Sequence, residues 1–200
     1  HLYHRMIAFH GQYNPAFTRL SDKYLAREFI RDRIGERYLV ALLWNGTDPR
    51  QLPFDALPDV SMAKTNHASG MTMVLRRPID RAGVIDQFDK WLATNYYWIT
   101  RELQYLDIKP RIMVEELLDD GNAGGPLDYR FWCFHGKPAL IQVDDKPHTI
   151  NPFFDLEWND TGLSYRSWDA RRDIPRPGRL DEMIAVAQAL SKGFDFVRVD

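Results

Sequence analysis

Short apolar runs bounded by turn-forming residues recur along this chain, and this pattern limits the folds that it can adopt. Runs of four to eight apolar residues, bounded by Gly, Pro, Asn or Asp, are typical of buried β-strands. The segment His135-Gly136-Lys137-Pro138 separates two of the runs and predicts a β-hairpin. The predicted strands are Tyr38–Trp44, Val60–Lys64, Thr72–Arg76, Arg111–Leu118, Tyr129–Phe134, Ala139–Val143, Phe153–Trp158 and Phe194–Asp200.

Three other segments carry apolar residues at helical spacing. Ser21 is the predicted N-cap of the first helix, and Gly35 is its predicted end. Asp80 is the predicted N-cap of the second helix, and the third begins at Leu180 and ends at Gly193. Because the predicted strands outnumber the helices and hairpins lie beside longer helices, the sequence favours an α+β fold over a regular βαβ alternation.

The composition supports a folded core and argues against several kinds of partner. Apolar residues make up 44% of the 200 residues, which argues against disorder. The formal net charge is -2, so there is no electrostatic reason to expect binding to nucleic acid or to an anionic membrane. No apolar run approaches the ~20 residues of a membrane-spanning helix. Cys133 is the single cysteine, which excludes an internal disulfide. With no signal-peptide pattern at the first residues, the sequence predicts a cytoplasmic protein.

The segment KTNHASG joins two predicted strands through a loop of small residues. Such a loop lets backbone N–H groups approach an anion closely, and a lysine at its entrance neutralises phosphate charge. Lys64, His67, Ser69 and Gly70 fit this function, and the small residues predict a mobile loop with few packing contacts. An ordinary polar turn with an exposed lysine fits the local pattern as well. No second His or Cys lies at zinc-ligand spacing from His67, so a zinc site is not expected.

Acidic residues lie at or near the ends of three of the predicted strands. Glu115 and Glu116 lie near the end of one, where they suit amine or hydroxyl donors or form a solvated acidic turn. Asp128 and Arg130 alternate with aromatic residues, so both point to one face of a sheet. Asp200 ends the last strand, where a carboxylate is suited to Mg²⁺ or to an ion pair with an arginine.

Five segments, taken in order, resemble a known family. They are SDKYLAREFI, AKTNHASG, QYLDIKPRIMVEELL, LDYRFWCFHGKP and FDFVRVD. Their order and spacing resemble the TupA-like ATP-grasp family, which is associated with building bacterial surface polysaccharides such as teichuronopeptide. The layout is more distantly similar to that of D-alanine–D-alanine ligases. The resemblance implies an α+β, ATP-grasp fold in which two subdomains grip ATP, with the C-terminal part missing.

The resemblance also implies a role for each residue that matches a family motif. The nucleotide-binding residues implied are Lys23 and Lys64 for the phosphates, His67, Ser69 and Gly70 in a flexible phosphate loop, Glu115, Glu116 and Leu117 at the adenine hinge, and Asp128 at the ribose. The implied catalytic residues are Lys64 and Arg198, the latter at the developing oxyanion, and the implied Mg²⁺ ligand is Asp200.

Two positions depart from the family pattern. The family has a Glu on the strand after Asp200, where this sequence stops, so the expected metal site is incomplete. Around Phe154 to Asn159 the sequence has Trp158 where the ligases have a further phosphate lysine. The expected organisation is an N-terminal arm at residues 1–20, a lid-side subdomain at 21–113 and a core subdomain at 114–200.

The function that the resemblance implies is ATP-dependent ligation of a carboxylate to an amine through an acyl phosphate. The substrate would be a small molecule or polymer that carries a carboxylate or a sugar. One alternative is an ATP-grasp kinase that phosphorylates a sugar or small molecule. Another is a glycosyltransferase, although no Asp-x-Asp motif is present. A carbohydrate-binding module would require exposed aromatic residues, whereas Trp91 and Trp132 lie on predicted apolar faces.

Overall fold

The computed structural model describes residues 14–119, 125–145, 150–164 and 173–200. Most of the predicted N-terminal arm at residues 1–20 lies outside these residues. The chain divides into two compact units, one ending at Leu117 and the other beginning at Leu118. The predicted boundary at 113/114 fell inside a strand that pairs with two others of the first unit.

The first unit contains a four-stranded antiparallel sheet in the order β1-β4-β2-β3. Its strands are β1 (Leu42–Gly46), β2 (Val60–Thr65), β3 (Thr72–Arg76) and β4 (Ile112–Glu116). Its helices are α1 (Pro15–Ser21), α2 (Ala26–Ile34), α3 (Arg81–Leu92) and α4 (Tyr97–Thr100), with short 3₁₀ turns at Glu36–Tyr38, Pro49–Gln51 and Leu103–Tyr105.

The core of the first unit lies between α3 and one face of this sheet. Val84 and Phe88 of α3 pack in one cluster with Ala63 of β2 and Val114 of β4. As predicted, the Asp80 side chain caps α3 by accepting a hydrogen bond from the Gly83 N–H at 3.1 Å. Because side chains alternate along a strand, the neighbours of the core residues in β2 and β4 point to the opposite face of the sheet.

The second unit contains a five-stranded antiparallel sheet in the order β8-β7-β6-β5-β9, with one long helix. Its elements are β5 (Asp128–Phe134), β6 (Lys137–Asp144), β7 (Pro152–Phe154), β8 (Asp160–Ser164), α5 (Leu180–Ser191) and β9 (Phe196–Val199). Leu180 and Ala187 of α5 pack on Phe131, Cys133 and Ile141 of the sheet. Cys133 is a core residue, as predicted, and burial raises the pKa of its thiol.

The predicted hairpin between β5 and β6 is confirmed. Phe134 pairs with Lys137, so the connection consists of His135 and Gly136 alone. Both residues have positive φ, 49° and 73°. Positive φ at both central positions is the conformation that matches the twist of two-residue hairpins.

The predicted start of the first helix is wrong, whereas its predicted end at Gly35 is confirmed. Ser21 ends α1 and does not cap α2, which begins at Ala26. The intervening turn is held by Asp22, whose carboxylate accepts from the Tyr24 N–H at 2.8 Å and the Leu25 N–H at 3.2 Å. A short acidic side chain bonds readily to backbone two or three residues on, so Asp22 forms the turn that Ser21 was expected to start.

The strand predicted at Tyr38–Trp44 is shifted towards the C-terminus. Tyr38 lies in a 3₁₀ turn, and β1 continues through Asn45 and Gly46 because these residues pair with Met113 and Ile112 of β4. A Cβ on Gly46 would lie 2.5 Å from the Trp44 ring, so glycine permits the close approach of the indole. Pairing with a distant strand therefore overrides the local turn signal of Asn-Gly.

The second unit also differs from the prediction at one place. The strand expected at Phe153–Trp158 ends at Phe154, because the Asp155 carboxylate accepts backbone hydrogen bonds from Glu157 at 3.0 Å and Asn159 at 2.7 Å. Trp158 has a positive φ of 72°, and its ring stacks on Phe154 with centroids 4.3 Å apart. The turn leads directly into β8, which the apolar pattern did not predict.

Candidate functional site

The sheet face opposite the α3 core carries an ion network in the first unit. Lys64 of β2 and Glu115 of β4 share this face, because Lys64 pairs with Met113 and Met62 pairs with Glu115. The Lys64 ammonium contacts Oε2 of Glu115, and the Arg27 guanidinium of α2 donates to Oε1 at 2.8 Å. The side chains of Arg27, Glu115 and Lys64 are 12%, 6% and 26% exposed, so Lys64 is the most accessible of the three.

Lys23 lies close to this network. Its backbone N–H donates to the Asn66 carbonyl at 3.1 Å, and its ammonium donates to the Ala68 carbonyl. Burial, which is the largest cause, and the positive charge of Lys64 together lower the pKa of Lys23 from 10.5 to about 8, against a smaller opposing effect of Asp22. Because the ammonium groups of Lys23 and Lys64 are near enough to repel each other, the positive potential between them favours binding of an anion.

The loop between β2 and β3 is anchored in its first half. Asn66 holds it to the residues before β4, because its side chain donates to the Lys109 carbonyl at 3.0 Å and accepts from the Arg111 N–H at 2.7 Å. Residues 65–68 are all buried. The prediction of a loop with few packing contacts is therefore wrong for this half of the segment. The small residues here fit a tightly packed turn. The local sequence does not distinguish such a turn from a mobile loop.

His67 is an anchor of the same loop. Its ring is buried, with the residue 1% exposed, and Nε2 donates to the Thr94 carbonyl at 3.0 Å. Burial lowers its pKa, so the ring is neutral near pH 7. A buried neutral imidazole that is bonded to a backbone carbonyl holds the loop in place, and the nucleotide-binding role that the resemblance implies for His67 stays a prediction.

Ser69 and Gly70 form the exposed half of the loop. Gly70 has a φ of +77°, and its carbonyl accepts from the Thr72 N–H at 3.0 Å. A Cβ at Gly70 would meet no atom within 4 Å, so the backbone conformation, and not crowding, favours glycine there. These two residues are the part of the predicted phosphate loop that remains open to solvent.

The predicted adenine-hinge residues separate in the structure. Each carboxylate oxygen of Glu115 already has a cationic partner, Arg27 on Oε1 and Lys64 on Oε2. Glu116 is exposed on the other face of β4, and its N–H donates to the Ala41 carbonyl at 3.1 Å. Leu117 is half-buried and ends the first unit. Adjacent residues of a strand point to opposite faces, which is why the side chains of the two glutamates lie on different faces of the sheet.

In the second unit, Arg130 lies among three carboxylates. Its guanidinium is 2.5 Å from Asp144 of β6, 3.6 Å from Asp128 of β5 and 3.9 Å from Asp200 after β9. Asp144 is buried, whereas Asp128 and Asp200 are about half exposed. Asp128 and Arg130 share a sheet face, as predicted. The structure thus brings two predicted site residues, Asp128 and Asp200, to the same arginine.

Arg198 of β9 and Asp200, which follows the strand directly, point the same way, as predicted. Two hydrogen bonds join them, Nε to Oδ1 at 2.6 Å and Nη2 to Oδ2 at 2.7 Å. Val197 and Val199 point the other way and pack against the core of this unit. Both oxygens of Asp200 therefore already have a guanidinium partner.

These donor sets differ in how well they fit ATP and Mg²⁺. The ammonium groups of Lys23 and Lys64 fit phosphate oxygens, which accept charge-assisted hydrogen bonds. A metal site fits less well, because Asp200 is bonded by Arg198. Among residues 14–119, 125–145, 150–164 and 173–200, no group of three or more His, Cys, Asp or Glu is placed to hold a metal ion. The described residues fit the nucleotide phosphates and do not by themselves form a metal site.

Sequence reasoning missed several residues that organise these sites: Arg27, Asn66, Arg111 and Asp144. Arg27 lies four residues after Lys23, and three and seven residues before Ile30 and Ile34, so it shares their helical face. A charged residue on an apolar face signals a buried pair, and this signal was available. Asn66 carried no such signal, because a polar residue in a polar loop is unremarkable in sequence.

A family model described as TupA-like ATPgrasp matches residues 2–200, nearly the whole chain. This chain belongs to the TupA-like ATP-grasp family. The mixed helices and antiparallel sheets agree with an ATP-grasp fold of the α+β class. A search of curated proteins and a search of solved structures each found no match.

Membership identifies the protein as an ATP-grasp enzyme, a class that uses ATP and Mg²⁺ and binds a substrate beside the nucleotide. None of the helices in the described part of the TupA-like chain is long and apolar enough to cross a membrane.

Proposed function

We propose that this protein is an ATP-dependent ligase that joins a carboxylate to an amine during the synthesis of a surface polysaccharide or related polymer. The observation that carries the nucleotide part is the pair of ammonium groups, Lys23 and Lys64, beside a loop whose outer half is open. The family supports the ATP-dependent class. The polymer and the ligase reaction are proposals that extend this class.

Bound ATP would supply the phosphoryl group that activates the substrate carboxylate as an acyl phosphate. Within the chain, Lys64 and Lys23 bind phosphate oxygens, and the exposed backbone at Ser69 and Gly70 covers them. Charge neutralisation of this kind is the main contribution that a protein makes to phosphoryl transfer. Leu117 offers backbone groups to the adenine and Asp128 holds the ribose.

The remaining proposed roles lie in the second unit. Arg198 stabilises the negative charge that develops on the reacting group, which requires its guanidinium to leave or share Asp200. Asp200 remains the proposed carboxylate for the metal, and no step is assigned to it. Because the reaction consumes ATP, we propose that it takes place in the cytoplasm.

Titration of the protein with ADP and with adenosine tests the nucleotide part. We expect ADP to bind at least about tenfold more tightly, because adenosine lacks the charge that Lys23 and Lys64 recognise. Calorimetry gives both affinities. Equal affinities, or no binding of ADP, would contradict the proposed phosphate site. Product analysis with ATP and candidate acceptors then separates a ligase, which forms ADP and an amide, from a kinase, which phosphorylates the acceptor.

The lowered pKa of Lys23 predicts a pH dependence of binding. A phosphate favours the charged ammonium, so binding at a pH above about 8 takes up a proton, and the affinity for ADP falls as the pH rises through that value. The effect on stability has the opposite sign. The folded pKa lies below the unfolded 10.5, so the charged form is a cost to folding that disappears as the pH rises from about 8 to 10.5.

Calorimetry on either side of pH 8, in two buffers of different ionisation enthalpy, measures the proton uptake. The Lys23→Met variant is the control and should lose most of this uptake. Equal proton uptake in the variant would assign the effect to another group.

A further inference from the structure

Glu115 is shared between two cations that come from different elements. Arg27 of α2 takes Oε1 at 2.8 Å, and Lys64 of β2 takes Oε2. Arg27 and Glu115 are nearly excluded from solvent, whereas Lys64 is about one quarter exposed. Of the three charged groups, the Lys64 ammonium is therefore the one that solvent or a ligand can reach.

Arg27 is fixed in place by a second contact. While one amino group bonds to Glu115, the other donates to the Val40 carbonyl at 2.7 Å. The planar guanidinium thus connects α2 to the segment before β1 and to β4 at once. A rigid fork of this kind loses little freedom for each hydrogen bond it forms, so Arg27 holds the Glu115 carboxylate in one orientation.

The charge balance shows what Arg27 adds. A lysine paired with a glutamate alone is neutral and attracts an anion weakly. With Arg27 present, the network of Arg27, Glu115 and Lys64 carries one net positive charge, and its accessible group is the Lys64 ammonium. Interactions between charges in a partly buried site are several times stronger than in water, so this one unit of charge matters for phosphate binding.

We infer that Arg27 is a positioning residue for the nucleotide phosphates: through Glu115 it orients the Lys64 ammonium and keeps the net charge of the network positive. This inference rests on the proposed nucleotide function and adds a residue that touches no ligand. According to this inference, Arg27 contributes to the preference of the site for phosphorylated over unphosphorylated nucleosides, although it lies on a helix distant in sequence from Lys64 and Glu115.

The test compares three variants in binding of ADP and of adenosine. Arg27→Gln removes the charge, Arg27→Lys retains it, and Arg31→Gln is the matched control one turn along the same helix. Arg31 pairs with Glu36 at 3.3 Å, and both side chains are largely exposed. Thermal unfolding of each variant confirms that the fold is retained. Where Arg27→Gln is too unstable to titrate, Arg27→Lys tests the orienting role alone, and an unchanged ratio of ADP to adenosine affinity in it would overturn that role.

We expect Arg27→Gln to weaken ADP binding about tenfold and to leave adenosine binding unchanged. Arg27→Lys should recover only part of the ADP affinity, because it keeps the charge but loses the fork that bonds to Glu115 and the Val40 carbonyl at once. Arg31→Gln should match the unaltered protein. A purely structural role would weaken both ligands equally, and that result would overturn the inference, as would a ratio of affinities that Arg27→Gln leaves intact. An unaltered protein that binds no ADP would instead overturn the proposed function on which the inference rests.

Discussion

Replacing Glu115 with glutamine should lower the free energy of unfolding by about 3–5 kcal/mol, because it removes the carboxylate that pairs with both Arg27 and Lys64. Arg27 is 12% exposed and cannot turn to solvent without leaving the Val40 carbonyl. A glutamine amide would also place an N–H donor against either Arg27 or Lys64, which have only donors to offer. Chemical denaturation measures the loss.

Glu116→Gln is the matched control for this prediction. Glu116 is the next residue of β4, is exposed and faces the other way, so its change should alter stability by less than about 0.5 kcal/mol. The double variant Arg27→Met, Glu115→Leu should be more stable than Glu115→Gln, since it removes the most buried cation together with the carboxylate and leaves only Lys64, the most accessible of the three, without its partner. If Glu115→Gln and Glu116→Gln lowered the free energy of unfolding by similarly small amounts, the ion network around Glu115 would contribute little to stability.

Replacing Lys64 with methionine should weaken ADP binding about 10- to 150-fold and leave the fold intact. A hydrogen bond to a charged group contributes about 1.5–3 kcal/mol, which corresponds to that range of affinity. The protein tolerates the change because Glu115 keeps Arg27 as its partner, so the variant contains a neutral buried pair. Calorimetric titration with ADP gives the effect, and thermal unfolding gives the stability.

The control for this second prediction is Lys90→Met. Lys90 lies on α3 and pairs with Asp86 at 2.6 Å, and both side chains are about two thirds exposed. Neither residue belongs to the network around Glu115, so ADP binding should not change. Similar losses for Lys64→Met and Lys90→Met would mean that general charge, and not the position of Lys64, governs binding.

Local sequence patterns correctly predicted the elements that depend on contacts between residues close together in the chain. The Thr72–Arg76 strand has the bounds predicted for it, and α3 begins after Asp80 as its capping residue required. The hairpin at His135–Gly136 follows from a dipeptide that accepts positive φ at both positions. In each case the deciding contacts lie within a few residues, so the sequence contains them.

Elements decided by distant partners were predicted less well. The strand β1 extends through Asn45-Gly46 because β4, more than sixty residues later, pairs with it. Asp22 takes the turn before α2 in place of Ser21, where the Lys23 N–H also bonds to the Asn66 carbonyl. The five ordered motifs nonetheless identified the family correctly. The match depends on the order and spacing of many residues along the chain, so it does not require the local structure of each residue to be predicted correctly.

The sequence alone therefore determined the α+β class, most strands, the family and the choice of Lys23 and Lys64 as the candidate phosphate ligands. The tertiary structure alone decided what the neighbouring side chains do. Arg27 and Glu115 are 88 residues apart and meet only when α2 packs on the sheet. His67 faces inward because the end of α3 offers a carbonyl to its ring. Periodicity specifies which face a residue occupies, but the partner that satisfies a buried charge or polar atom on that face is chosen by the packing of distant elements.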